Sequence, residues 1–191
     1  FLDNKKEKFE LEFNLEKGTS FNTFLINENN ELIIIHPPEI NHFDLLKKII
    51  NIYLEELKLV KINIITGHIN PKIVDTIKSI KEFFESTEIT CSAPGKKLIS
   101  ELWLLKKPGV KEKIEIPLPN IVLVKKDFLL KLKEQTLHLI PAPTARWPGS
   151  LIIYEENSGL RASPKETAFA AITCIKGPPC NPGKTAELTF L

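Results

Sequence analysis

Methionine is absent from the 191 residues, and the chain begins at Phe1, so it reads as a piece of a longer gene product. Cysteine is scarce as well. Cys91, Cys174 and Cys180 are odd in number and far apart, which argues against a disulfide framework. The Cys174-x5-Cys180 spacing is no zinc site either, since such a site would want two cysteine pairs. Neither sign of charge is in marked excess. The net charge is +2 with acids and bases mixed along the chain, so there is no electrostatic case for nucleic acid or an anionic membrane. No apolar run approaches the ~20 residues of a spanning helix. No basic start leads into an apolar signal core, so a cytoplasmic location is expected. A G-x-G-x-x-G element or equivalent phosphate loop is also missing.

What is present is an ordinary globular composition, 42% hydrophobic and 26% charged, enough for a full core in one domain or a large part of one. Phe9, Leu11 and Phe13 alternate with Glu10 and Glu12, the period of a half-buried strand. FNTFLI (21–26) and ELIII (31–35) follow as two more strands of a meander. The continuous Ile33–Ile35 run predicts burial on both faces, and Pro37-Pro38 ends the ladder. A helix is expected from Phe43 to Leu57, with Leu46, Ile49, Ile50, Tyr53, Leu54 and Leu57 on one stripe.

Strand–helix alternation then sets in. Ile62, Ile64 and Ile65 form a buried strand ended by Thr66-Gly67, and Asn70-Pro71 begin a helix that runs to about Ser86. Its buried face is Ile73, Ile77, Ile80 and Phe84. Glu88–Cys91 is the next strand. Ser92–Gly95 turns into a helix near Lys96–Leu105, with Leu98, Ile99, Leu102 and Trp103 inward. After Pro108-Gly109 the chain returns to strands at Ile121–Val124, around Leu130 and Leu132, at Thr136–Ile140 and at Leu151–Tyr154. The whole predicts a mixed α/β sandwich with a parallel section. Beyond Leu160 the pattern fails. Residues 161–191 read as a divergent or non-native tail on a 1–160 core, and Glu187–Leu191 could be a strand without a nameable partner.

His68 sits in a strand-to-helix loop at the carboxyl end of a strand, where α/β sheets carry their chemistry. A lone histidine in a loop is more commonly a structural hydrogen-bonding group. His36 and His42, in HPPEINH, have a spacing that could chelate, whereas His138 alternates with Leu137 and Leu139 and belongs on a solvated face. Lys72 with Arg146 could bind an anion at the helix N-terminus, or Lys72 could pair with an acidic side chain. Trp147 reads as a core aromatic. Ser92 and Ser150 have no identifiable His–Asp partners, so serine hydrolysis is unsupported.

Several segments fall in the order and spacing of a known family. They are Lys17-Gly18-Thr19 before FNTFLI, Pro37-Pro38 after ELIIIH, Gly67–Pro71, Cys91–Gly95, and IPAPTARWPG (140–149) followed by Tyr154. Over about Phe9 to Leu160 the chain resembles the metallo-β-lactamase-like domain of flavodiiron proteins, in the diflavin branch of oxygenic phototrophs. The resemblance implies a metallo-β-lactamase-like αββα sandwich, incomplete at the C-terminus. It implies an oxidoreductase family that uses di-iron, FMN and NAD(P)H to pass electrons from flavin to dioxygen. It also implies a homo- or hetero-dimer with a flavodiiron homologue.

The family's first ligand cluster runs His-x-Glu-x-Asp-His. Here the aligned residues are His68, Asn70, Lys72 and Ile73, and a later ligand histidine aligns with Arg146. Imidazole and carboxylate suit iron, but amide, ammonium and alkyl groups do not. The expectation is a degenerate site without metal or cofactor in this chain, catalytically inactive on its own. The alternative expectation is a metal-free, non-catalytic subunit that pairs with a competent homologue. A lactamase-like metallohydrolase is disfavoured, because it needs the same histidine cluster.

Overall fold

The computed structural model describes residues 21–28, 30–105, 116–126, 128–133, 135–143, 149–156, 161–162 and 185–190. The strand expected at Phe9–Phe13, the Lys17–Thr19 segment, and Arg146 and Trp147 lie outside the described residues.

Strand β1 (Phe21–Glu28) turns back into β2 (Glu31–Ile35) through Asn30, whose φ of 61° closes the hairpin. A 3-10 turn at Ile40–His42 leads into α1 (Phe43–Leu57). Then come β3 (Lys61–Ile65), α2 (Pro71–Phe83), β4 (Thr87–Ser92), α3 (Ala93–Leu104) and β5 (Asn120–Val124). The predicted parallel section is present: β2, β3, β4 and β5 are parallel neighbours, each joined to the next by a helix-bearing crossover. A second, antiparallel sheet follows, built from β6 (Phe128–Lys131), β7 (Thr136–Pro141), β8 (Leu151–Glu155) and β9 (Arg161–Ala162). Finally β10 (Thr185–Phe190) pairs antiparallel with β1 at the edge of the first sheet. The late stretch that lacked a nameable partner thus has one, because β1 leaves an edge open on the side away from β2.

The isoleucine-rich strands work because both faces of the first sheet are covered. Leu32 and Ile34 of β2, with Ile62 and Ile64 of β3, pack against Leu46, Ile50, Ile73, Ile77 and Ile99 of the helices. Ile33, Ile35 and Ile65 point the other way and meet Leu137, Leu139, Leu151 and Ile153 of the second sheet. The described layers are therefore helix, sheet, sheet. Each fully buried isoleucine contributes about 1.5–3 kcal/mol relative to exposure, so this packing positions every loop discussed below.

Helix boundaries differ from the sequence reading in two places. The third helix begins at Ala93 rather than Lys96, because Ser92 caps it: Ser92 Oγ accepts from Gly95 N at 3.1 Å. Pro94 then lies in the first turn, where its missing N–H costs nothing. The second helix ends at Phe83 instead of Ser86. Phe84 turns to an extended conformation while its side chain stays against the core.

Candidate functional site

Asn70 caps α2 as predicted, in extended conformation, with its Oδ1 accepting from Ile73 N at 2.8 Å. Such a cap is worth about 1 kcal/mol. Ile69 and Ile73 on either side are buried, so packing decides where the loop sits and the polar bonds decide its internal shape. Thr66 Oγ1 donates to the His68 carbonyl at 2.9 Å, which shapes the turn between β3 and the cap.

Capping also fixes which way the Asn70 amide faces. With Oδ1 committed to Ile73 N–H, Nδ2 points at Glu39, donating to Oε1 at 3.2 Å, and lies 3.4 Å from His68 Nε2. An amide nitrogen has hydrogens and no available lone pair, so the Asn70 amide presents an N–H to the His68 ring. The second oxygen of Glu39, Oε2, pairs with Lys72 Nζ at 3.1 Å. Both carboxylate oxygens of Glu39 are thereby engaged by side chains from the first turn of α2 and its cap. A carboxylate is also the favoured partner for that end of a helix.

The structure brings His68, Asn70 and Lys72 together, and adds a residue that the sequence reading missed. Glu39 is the single acid of HPPEINH, and nothing in its spacing links it to a helix thirty residues on. The acidic partner expected as one outcome for Lys72 is this side chain. Arg146 lies outside the described residues.

His36 follows β2 in a left-handed conformation (φ 53°), uncommon for a residue with a Cβ. Its N–H donates to the Ile65 carbonyl at 2.9 Å and its carbonyl accepts from Thr23 Oγ1 at 2.7 Å. His42 is the N-cap residue of α1. Among the described residues no three His, Cys, Asp or Glu side chains come together to hold a metal. His138 is on the outer face of the second sheet, as its alternation predicts, with Nε2 2.5 Å from Glu156 Oε1. Cys91 is buried, and burial pushes its thiol up to about 12, so it is a neutral core group and not a nucleophile.

Three loops close around Ile69. A Cβ on Gly95 would stand 2.9 Å from Ile69 Cδ1, and one on Gly149 would stand 3.1 Å from Gly95 Cα. A Cβ on Gly67 would meet the Leu151 backbone nitrogen at 2.5 Å. The glycines of Gly67–Pro71, Cys91–Gly95 and the 140–149 segment are thus contact points between loops, which explains their presence in all three.

This is the geometry of a metallo-β-lactamase-like domain: parallel strands ending in a cluster of loops, helices on one face and a second sheet on the other. A family model described as ODP family beta lactamase matches residues 19–163. The chain belongs to that family. Diflavin flavoprotein A 6 of Nostoc sp. (strain PCC 7120) is 30% identical over 172 residues, covering 87% of this chain and 27% of the relative. Diflavin flavoprotein A 3 of Synechocystis sp. (strain PCC 6803) is 27% identical, covering 87% of this chain and 26% of its own length. The chain spans about a quarter of the length of the curated relatives it matches. Among solved structures, the metal-soaked Flv1 flavodiiron core from Synechocystis superposes with a TM-score of 0.54 at 23% identity, covering 70% of this chain and 30% of that one. The flavodiiron protein from Giardia intestinalis gives 0.55 at 17% identity, covering 73% and 31%. The resemblance drawn from the sequence motifs is borne out at the level of family and fold. Among the described residues no helix is long and apolar enough to cross a membrane.

Proposed function

We propose that the chain is the lactamase-like domain of a diflavin flavodiiron protein, an oxidoreductase that passes electrons from flavin to dioxygen, and that its own metal position is degenerate. The observation that carries the second part is the Lys72–Glu39 ion pair. The family's group is a di-iron centre, and the donor set here does not fit it. Lys72 brings a positive charge and no lone pair, Asn70 spends its oxygen on the helix cap, and Nε2 of His68 lies 3.4 Å from the Asn70 amide nitrogen. Ile73 is a core residue with nothing to donate. No reaction step is therefore assigned to this domain. Any FMN- or NAD(P)H-dependent chemistry belongs to other parts of such a protein. A cytoplasmic setting is part of the same reading, in keeping with the free buried thiol of Cys91.

The test is metal content. The full chain, incubated anaerobically with ferrous iron and freed of excess metal, is expected to retain well under one iron per chain by elemental analysis. Close to two irons per chain would overturn the degenerate-site reading.

A second reading is a metal-free subunit that pairs with a competent flavodiiron homologue. Leu45 and Ile52, both half-exposed on α1, lie on a helix face that such a pairing would cover. Co-elution with such a homologue on size exclusion would support it, and separate elution at micromolar concentration would dismiss it.

A further inference from the structure

The Glu39 carboxylate reaches across 31 residues of sequence to Asn70, and to Lys72 beside it, by two separate contacts. Its side chain is only 12% exposed, whereas that of Lys72 is 43% exposed. A carboxylate shielded to that degree needs hydrogen-bond or charge partners, and both contacts described for it come from the loop that begins α2. Glu39 itself is held in place by its chain: it follows Pro37-Pro38, whose fixed φ stiffens the approach, and it is the N-cap residue of the 3-10 turn. One rigid segment thus offers a negative charge, and the other offers an amide N–H and an ammonium.

We infer that Glu39 is the hub that orders the His68–Lys72 loop, with the Lys72 ammonium as a built-in cation, so that the loop needs no divalent ion to hold its shape. The inference rests on the degenerate-site reading and adds to it the device that replaces the metal's structural role. Electrostatics gives the reason. A loop carrying neighbouring carboxylates would repel itself without a cation, but here the lysine in the position expected of a ligand carries the charge that neutralises Glu39. Asn70 links the two halves, because its oxygen caps the helix while its nitrogen holds Glu39.

The test is a double-mutant cycle on the full chain, with Glu39→Gln, Lys72→Met and the double variant, read by thermal unfolding with EDTA and with manganous ion. Gln keeps an acceptor for Asn70 and removes only the charge. Each single substitution is expected to lower Tm by about 2–4 °C in a chain of this size. The double variant should fall no further than the larger single, since the paired charge is already lost. All four proteins should unfold at the same temperature with EDTA as with manganous ion. Additive losses in the double variant would overturn the hub while leaving the metal-free reading intact. A saturable rise of the unsubstituted chain's Tm with manganous ion would instead overturn the degenerate-site reading.

Discussion

Ser92 Oγ donates to the carbonyl of Gly149, 57 residues further along the chain, at 3.0 Å, while accepting from Gly95 N. One buried hydroxyl therefore starts α3 and ties the loop before β8 to it. Ser92→Ala removes the cap and strands the Gly149 carbonyl in a site where Ser92 is only 2% exposed. The expected loss is about 1–3 kcal/mol of folding free energy, measured by urea unfolding, with little change in m-value.

Gly67 and Gly95 should differ in their tolerance of alanine. A Cβ at Gly67 would collide with backbone of Leu151, which cannot move without shifting β8, whereas one at Gly95 would press on the flexible end of Ile69. Gly67→Ala is expected to cost more than the roughly 1–3 kcal/mol typical of overpacking. Gly95→Ala should fall within that range and be partly rescued by Ile69→Val. Urea midpoints of the three variants check the order.

At Asn70 the helix-cap ranking alone would predict that aspartate is as good as asparagine. The structure predicts otherwise. Asp would keep the acceptor for Ile73 N but would lose the amide N–H and set a second carboxylate against Glu39. Asn70→Asp should be no more stable at pH 7 than Asn70→Ala, which loses about 1 kcal/mol from the cap.

Cys91 gives a pH dependence with a definite sign. In the folded chain its thiol is held up to about 12 by burial, against an ordinary value of 9.0. Above pH 9 the unfolded state releases this proton and the folded state does not, so stability falls as pH rises, by up to about 1.4 kcal/mol per unit. Below pH 9 the thiol makes no pH-dependent contribution. Cys91→Ala should flatten that slope between pH 9 and 10.5, measured by urea unfolding at each pH. In a Cys174→Ser/Cys180→Ser background, Cys91 should react with a thiol reagent at pH 8 only as fast as the chain opens.

Much of the fold was legible because it is built from local signals. The Ile33–Ile35 run announced a strand buried on both sides, Asn70-Pro71 announced a helix start, and the alternation around His138 announced an outer face. The start of α3 was misplaced because Ser92-Ala93-Pro94-Gly95 has the composition of a turn, and only the hydroxyl of Ser92 folded back onto Gly95 N reveals a cap. The partner of β10 was illegible for a different reason. Strand pairing is a contact between distant residues, and the open edge of β1 exists only once the sheet has formed.

At the site the division is similar. The sequence alone determined that His68, Asn70, Lys72 and Ile73 follow one another closely after a buried strand, because residue type and spacing are local properties. Only the tertiary structure decided what those residues meet. It folds the rigid Pro37–Glu39 segment against the start of α2, so that the carboxylate of Glu39 meets an amide and an ammonium it is far from in the chain. Burial then makes those contacts count, since a shielded charge must find its partners within the protein and not in water.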